Sequence, residues 1–529
     1  MIESFGQLVS QLLKQICMLI IVYFVLSLLF DPSPGGARSI GGGTGPNLIK
    51  KGEIKTRIKD VRGLDEIKSE IQEYIDYFTN IGRYQEMKCK LPKGVLFVGP
   101  PGTGKTLMAK AMARESDCSF ISVEVATLNE VYVGVGAARM KKIFDTAREN
   151  SPCIIFMDEI DTIGGKRGTT SNNENTSVLN HLLTEMDGFS ANEEILVIAA
   201  TNRVDYLDPA LVRSGRFDSK VIFDLPTKEE RKDLFKYYLR GLNPDYVNKN
   251  IEYDTLAKKT PGCSGADIAN IVNRAGIDAI KNKMNEKVSI TTKSITDAID
   301  RVLIGTKRNS QQHKETTTYM GENELRMIAY HEAGHALIAY LLKSQNSPIK
   351  VSLIPRAGGI LGYSQSDPAD RILKTHKEIV GDIMVLMAGR AAEETFTESG
   401  EARTTGAIDD IQRATKLLHD LYFKYALGDP ENPFMTYDEN PMLSNDAKNS
   451  AFEKVIAFET SVYGEVRKIL KNNRDLLDHL VKKLLDKEEI DDGDIRDSVG
   501  KDYEDTVDFS IKENAITHHI AKQIQPKRP

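Results

Sequence analysis

The segment Gly99-Pro100-Pro101-Gly102-Thr103-Gly104-Lys105-Thr106 constrains this chain more than any other. Ahead of it, Gly94 to Val98 is a short apolar run that reads as a buried strand, and a helical pattern follows. A glycine-rich loop in that setting closes its backbone N–H groups around phosphate oxygens, and the helix N-terminus adds a field that favours the anion. Lys105 is placed to reach the β- and γ-phosphates, and the Thr106 hydroxyl to ligate Mg²⁺. A glycine-rich turn with a chance lysine would look similar in isolation, but two further apolar runs speak against it. Cys153 to Met157 ends in Asp158-Glu159, where Asp158 would hold the metal shell and Glu159 would orient or deprotonate an attacking water. Ile195 to Ala200 ends in Thr201-Asn202, a polar group placed to sense the γ-phosphate. With all three in order the residues point to nucleotide hydrolysis. Strands alternating with helices imply a parallel α/β sheet.

The chain has 529 residues, enough for several domains. It divides into an N-terminal segment (1–30), a Gly/Pro-rich linker (31–57), the α/β domain (58–226), a small helical domain (227–310), a mostly helical third domain (311–505) and a polar tail (506–529). Regular structure is expected from about Ile58. In the second domain, Ser264 to Met284 fits a helix, with Ser264 as N-cap and Asp267 three residues on. In the third, Val351 to Pro355 and Gly362 to Ser364 read as strands around a Gly-Gly turn. Residues 16–30 carry no charge. With Leu12, Leu13 and a snorkelling Lys14 the stretch reaches about 19 residues, or roughly 28 Å of helix, which just matches a hydrocarbon core. Asp31-Pro32-Ser33-Pro34 is a poor signal-peptide cleavage site, so one transmembrane helix over about 12–30, in contact with lipid, is expected. A net charge of -6 argues against a dedicated nucleic-acid binder. The five cysteines are scattered without a CxxC pair and read as reduced thiols in or near cores.

His331-Glu332-Ala333-Gly334-His335 lies in a stretch free of proline from Tyr319 to Ser347. On a helix, positions i and i+4 face the same way, so both imidazoles can hold one Zn²⁺ per subunit. Glu332 beside them can deprotonate the metal-bound water. The same spacing also arises as a histidine pair on an ordinary amphipathic helix. A catalytic zinc needs a third protein ligand, and the segment Thr404 to Thr415 offers carboxylates at a helix start. From the residues alone Asp409, Asp410, Glu393 and Glu394 all compete.

The stretch ATNRVDYLDPALVRSGRFD, residues 200–218, resembles the second region of homology of the AAA+ ATPases. That resemblance implies that Asn202 is the sensor and that Arg213 and Arg216 are arginine fingers reaching a neighbouring subunit's ATP, where a planar guanidinium suits the developing charge. Fingers supplied in trans imply a ring, and the family expectation is a homo-hexamer. From about Lys59 to Tyr425 the chain resembles the FtsH-type membrane AAA proteases. This implies an AAA+ α/β domain with a helical lid, followed by a mostly helical zinc metallopeptidase domain. In the family's TTGAxxD(L/I) pattern the second acid position is the metal ligand, which is Asp410 here, with Asp409 at a variable position. Val131-Tyr132-Val133-Gly134-Val135-Gly136 resembles the pore loop, with Tyr132 where many members have Phe. An aromatic flanked by glycines can grip an unfolded chain whatever its sequence. Gly359 to Tyr363 resembles the edge strand beside the zinc, which binds substrate by backbone pairing.

The resemblance thus implies an ATP-dependent zinc metalloprotease that unfolds membrane or membrane-associated polypeptides and moves them through a hexameric ring. A membrane-protein remodelling ATPase with a chaperone role is the rival reading, and intact His331, Glu332, His335 and Asp410 argue against it. A nucleotide-binding scaffold is countered by intact Glu159, Asn202, Arg213 and Arg216. The single span, Tyr132 and Ile163-Gly164-Gly165-Lys166-Arg167 resemble the mitochondrial i-AAA branch, which implies an inner membrane with catalytic domains in the intermembrane space. Arg38, Lys50, Lys51, Lys55, Arg57 and Lys59, against Lys14 before the span, favour the matrix or cytoplasmic side by the positive-inside rule.

Overall fold

The structure is a computed structural model; it describes residues 18, 47–87, 92–128, 135–165, 173–188, 194–282, 289–305, 321–342, 348–355, 362–366, 373–396, 403–429, 436 and 444–499. Strands β1 (Asn47–Ile49), β2 (Gly94–Val98), β3 (Ser119–Glu124), β4 (Cys153–Asp158), β5 (Ile195–Thr201) and β6 (Phe217–Ile222) form one sheet in the order β1-β3-β4-β5-β2-β6. β1 runs antiparallel to β3, and the other pairs are parallel. Helices α1 (Asp65–Thr79), α2 (Ile81–Glu86), α3 (Lys105–Glu115), α4 (Val135–Glu149) and α5 (Asn173–Gly188) accompany it. Neighbouring strand residues serve opposite faces. Leu96, Ile155 and Val197 pack with Phe144 of α4 and Leu182 of α5. Phe97, Ile154 and Ile198 pack with Met112 of α3 and Ile71 of α1. Cover on both sides is why these strands read as unbroken apolar runs rather than alternating ones.

The chain leaves β2 and must pass β5 and β4 to reach β3, while β6 closes the other side of β2. Such a switch in strand order opens a crevice at the carboxyl ends of the strands. Regular structure begins earlier than the sequence suggested. Asn47–Ile49, inside the span assigned to the linker, pairs with Ser122, Ile121 and Phe120. The outer edge of β3 offers backbone groups that any extended segment can satisfy, so composition gives little warning of it.

Helices α6 (Lys228–Arg240), α7 (Tyr253–Lys258), α8 (Gly265–Asn282) and α9 (Thr292–Leu303) pack around Phe235, Leu256, Ile268 and Ile295. α8 opens on the expected reciprocal cap: Ser264 N donates to Asp267 Oδ2 at 2.9 Å and Asp267 N to Ser264 Oγ at 3.3 Å. A further core is enclosed by α10 (Glu322–Leu341), α11 (His376–Phe396), α12 (Ile408–His419), α13 (Asn445–Asn472), α14 (Arg474–Lys487) and α15 (Asp492–Val499). The expected strands there are β7 (Pro348–Ser352) and β8 (Tyr363–Ser366); β9 (Glu489–Asp491) joins them, in the antiparallel order β8-β7-β9. α10 and α11 cross closely. A Cβ added to Gly334 would stand 2.5 Å from Ala392 Cβ and 2.8 Å from the Ala388 carbonyl oxygen.

Cys118, Cys153 and Cys263 are buried free thiols. Tyr132, Val133 and Gly134, Lys166 and Arg167, Gly359 to Leu361 and the tail from 500 onward lie outside the described residues. So does the apolar stretch 12–30 apart from Met18, and no helix among the described residues is long and apolar enough to cross a membrane.

Candidate active sites

A cleft of about 410 Å³ lies at the carboxyl ends of β2, β4 and β5, and Gly102, Lys105, Thr106, Asp158, Glu159 and Asn202 are among its walls. Lys105 Nζ donates to the carbonyl oxygens of Gly99 (2.6 Å) and Pro100 (2.8 Å) and to Asn202 Oδ1 (3.0 Å). Burial lowers its pKa, while Asp158 and Asp161 act to raise it. Thr106 Oγ1 donates to Asp158 Oδ2 at 3.2 Å, so the two groups expected around Mg²⁺ already meet. Glu159 is exposed and has φ of 55°, a left-handed conformation that costs a non-glycine residue about 1–2 kcal/mol. That bend carries its carboxylate off the strand tip toward the cleft. Gly102, at φ 78°, is where the second domain touches the loop: an added Cβ would stand 2.5 Å from Ser264 Oγ, and Ala266 N donates to the Gly102 carbonyl at 3.2 Å. Arg213 and Arg216 do not line this cleft. Arg213 is exposed, whereas Arg216 donates twice to the Asp187 carboxylate (3.0 and 2.8 Å) and to the Ala210 carbonyl (2.7 Å).

In the third domain, α10 sets His331 and His335 one turn apart with their Nε2 atoms 3.1 Å from each other. Asp410 Oδ2, from the first turn of α12, lies 3.2 Å from His331 Nε2 and 3.3 Å from His335 Nε2. The Nδ1 atoms are engaged on the far side, His331 with Glu393 Oε1 at 2.8 Å and His335 with the Val385 carbonyl at 2.7 Å. A carbonyl only accepts, so His335 Nδ1 carries a hydrogen and the Nε2 of the neutral ring turns its lone pair inward; Glu393 fixes His331 in the same sense. Three electron-rich atoms then face one another, an arrangement that a cation relieves. Tetrahedral zinc with bonds of about 2.0–2.1 Å spaces its ligand atoms by roughly 3.3–3.4 Å, so these side chains fit it. The field has the matching sign. Burial lowers the His331 pKa, yet Asp410 and Glu393 outweigh it and raise it to about 10, so a proton competes with a metal ion for the lone pair of His331 Nε2. Burial raises the Asp410 pKa, yet the two rings hold it well below the usual carboxylate range.

The four competing carboxylates separate cleanly in space. Asp410 faces both rings. Glu393 stands one layer behind, its second oxygen accepting from Thr404 N at 2.9 Å. Glu394 turns to Arg403 (2.9 Å), Arg467 (3.1 Å) and the Tyr463 hydroxyl (2.9 Å). Asp409 is exposed. Glu332 is buried beside the cluster, and that burial raises its pKa against the pull of His335 and His331.

Sequence reasoning missed Gly389. An added Cβ there would stand 2.4 Å from His335 Nε2 and 2.5 Å from His331 Cε1, so the rings occupy the room that a side chain would need. Its signal was the small residues Ala388, Gly389, Ala391 and Ala392, which leave room that they do not fill themselves. Gly389→Ala is expected to displace the rings and cut zinc affinity by about 10–100-fold, the range seen when ligand orientation is lost. Metal content of the purified variant and its rate of ATP hydrolysis, which should hold, check this. Unchanged zinc binding would show that the rings have room to spare.

Three family models match the chain. Residues 95–225 match the ATPase family associated with various cellular activities (AAA), 250–297 the AAA+ lid domain, and 318–498 peptidase family M41. The chain is 36% identical over 517 residues to the ATP-dependent zinc metalloprotease FtsH 4 of Synechocystis sp., covering 94% of this chain and 80% of that one. It is 38% identical over 479 residues to the ATP-dependent zinc metalloprotease FtsH of Parabacteroides distasonis, covering 88% and 68%. With FtsH 3 of Symbiobacterium thermophilum the identity is 36% over 509 residues, covering 92% and 78%.

Proposed function

This chain belongs to the FtsH family of ATP-dependent zinc metalloproteases, and from that premise we infer which of its residues act. It is an enzyme that hydrolyses polypeptides with Zn²⁺, ATP and Mg²⁺. The observation that carries the residue assignment is the mutual approach of His331 Nε2, His335 Nε2 and Asp410 Oδ2 beside a buried glutamate. A zinc ion held there supplies Lewis acidity and brings the pKa of a bound water toward 7. Glu332 takes a proton from the attacking water and delivers it to the leaving amine. Glu393 and the Val385 carbonyl keep the rings turned inward. At the other site, Lys105 and the backbone of Gly99, Pro100, Pro101, Gly102, Thr103 and Gly104 hold the phosphates. Thr106 and Asp158 belong to the Mg²⁺ shell, Glu159 orients the attacking water and Asn202 reads the γ-phosphate.

Arg213, exposed and away from its own cleft, and Arg216, on release from Asp187, serve the ATP of a neighbour in a ring of six identical chains. Tyr132, with Val133 and Gly134, pulls substrate through that ring. Degradation of a folded substrate is therefore expected to need ATP and to stop on adding a zinc chelator. Tyr132→Ala should also stop it, yet spare short peptides that diffuse to the zinc. Degradation that ignores ATP or the chelator would uncouple the two sites and sink this reading.

The apolar stretch Leu12 to Phe30 anchors the chain in a bilayer and contacts its lipid. Alkaline carbonate should leave the full chain in the membrane pellet and release a variant lacking residues 1–30; release of both would remove the anchor. Placement in a mitochondrial-type inner membrane, facing the intermembrane space, is a further reading supported by Tyr132 and the segment Ile163-Gly164-Gly165-Lys166-Arg167. The relatives named above are bacterial and lend it no support, and the basic residues after the span oppose that orientation. Catalytic domains that stay protected from external protease once the outer membrane is ruptured would overturn it.

A further inference from the structure

Asp300 occupies the last turn of lid helix α9, where the helix's own field disfavours a carboxylate. It is nevertheless buried, at 2% exposure. Two of its side-chain partners come from the peptidase domain. Lys350 Nζ of β7 lies 2.8 Å from Asp300 Oδ2, and the Tyr363 hydroxyl of β8 donates to the same oxygen at 3.3 Å. Lys350 also meets Glu489 Oε1 of β9 at 3.3 Å. One lid carboxylate is thus tied, directly or through Lys350, to all three strands of the peptidase sheet. β8 begins one residue after Gly362, where an added Cβ would stand 2.9 Å from both Cγ and Oε1 of Glu332. The path from lid to base runs Asp300, Tyr363, Gly362, Glu332. At its other end the lid stands on the phosphate loop through the Ala266 to Gly102 bond, and α8 and α9 share one core.

We propose that Asp300 is a positioning residue for peptide hydrolysis, passing the lid's nucleotide-dependent seating on the phosphate loop to the strand that packs against Glu332. This rests on the zinc-peptidase reading given above. A buried ion pair between two domains has one arrangement that satisfies both charges. Displacement separates a largely buried carboxylate from the ammonium that faces it at 2.8 Å, which is costly, so lid and sheet move together. Nucleotide and peptide sites are thereby coupled through a packed element whose position both can bias.

The test uses the full chain and a short unstructured peptide that needs no pulling. Its kcat and KM are measured with a non-hydrolysable ATP analogue and again with ADP. The wild-type kcat should differ between the two states by about fivefold or more, the lower end of ordinary site-to-site coupling. Asp300→Asn and Lys350→Met should each bring the two values within about twofold, with KM and the ATPase rate unchanged, whereas Lys350→Arg should keep the difference. The double variant Asp300→Asn/Lys350→Met leaves no buried charge unpaired and should behave like the single ones. Equal loss of kcat in both nucleotide states, a difference that survives in the double variant, or a wild type indifferent to nucleotide would each overturn the proposal. A wild type that cleaves no peptide at all would instead remove the zinc-peptidase reading on which it rests.

Discussion

Glu332→Gln is expected to lower peptide-bond hydrolysis by about 10²–10⁴-fold, the range a positioned general base contributes, and to leave ATP turnover unchanged. The amide matches the carboxylate in shape, so packing against Gly362 and the positions of His331, His335 and Asp410 should persist. Only the ability to accept a proton is lost. Zinc content and thermal midpoint should therefore match the parent, which separates this variant from one that merely loosens the domain. Cleavage at the parent rate would place the base elsewhere. Loss of zinc together with activity would mean that Glu332 supports the ligands rather than the water.

Glu159→Gln is expected to slow ATP hydrolysis by a similar ~10²–10⁴-fold while ATP still binds and substrate stays trapped. Lys105, Thr106 and Asp158 are untouched, and the bond from Thr106 Oγ1 to Asp158 Oδ2 does not involve Glu159. Because the exposed glutamate already sits at positive φ, the exchange adds no new backbone strain. Nucleotide retention on a desalting column and phosphate release distinguish binding from turnover, and normal turnover would remove Glu159 from the mechanism. Arg213→Ala should lose ATPase too, but for another reason. Mixed with Lys105→Ala subunits, it should regain part of the activity, since each variant supplies what the other lacks across the shared interface. No recovery on mixing would argue that Arg213 acts within its own chain.

The parts of the fold that were legible in the sequence are those specified locally. β2, β4 and β5 are apolar on both faces, β4 and β5 end in the polar residues Asp158 and Thr201, and the cap of α8 lies within four residues. The two histidines could be placed together because helical spacing alone does it. The third member of the cluster could not be chosen that way. Glu393, Glu394, Asp409 and Asp410 differ in what long-range folding puts opposite them, and only the docking of α12 beside α10 and α11 separates a carboxylate facing the rings from one standing behind His331. Gly389 went unread for the same reason, since its use is defined by neighbours on another helix. β9 is the extreme case. Three residues join β7 across 137 positions, where Ser352 Oγ meets Glu489 Oε1 at 3.1 Å, and nothing in Glu489–Asp491 itself marks a strand.

The two-faced strands of the large sheet have a consequence for how the chain finds its pairing. In a sheet with one wet face, a slip of one residue turns the apolar set toward water and is penalised at once. Here each neighbour along β4 or β5 belongs to an apolar core, so the slip would trade one oily surface for another. What it would not preserve is the position of the ends. A one-residue shift carries Asp158 about 3.3 Å along the strand direction, away from Thr106, and moves Thr201 relative to Asp161, whose carboxylate it now meets at 2.9 Å. The polar tips therefore act as alignment marks for the sheet as well as parts of a phosphate site, and substitutions there alter assembly of the fold and turnover of the nucleotide through the same atoms.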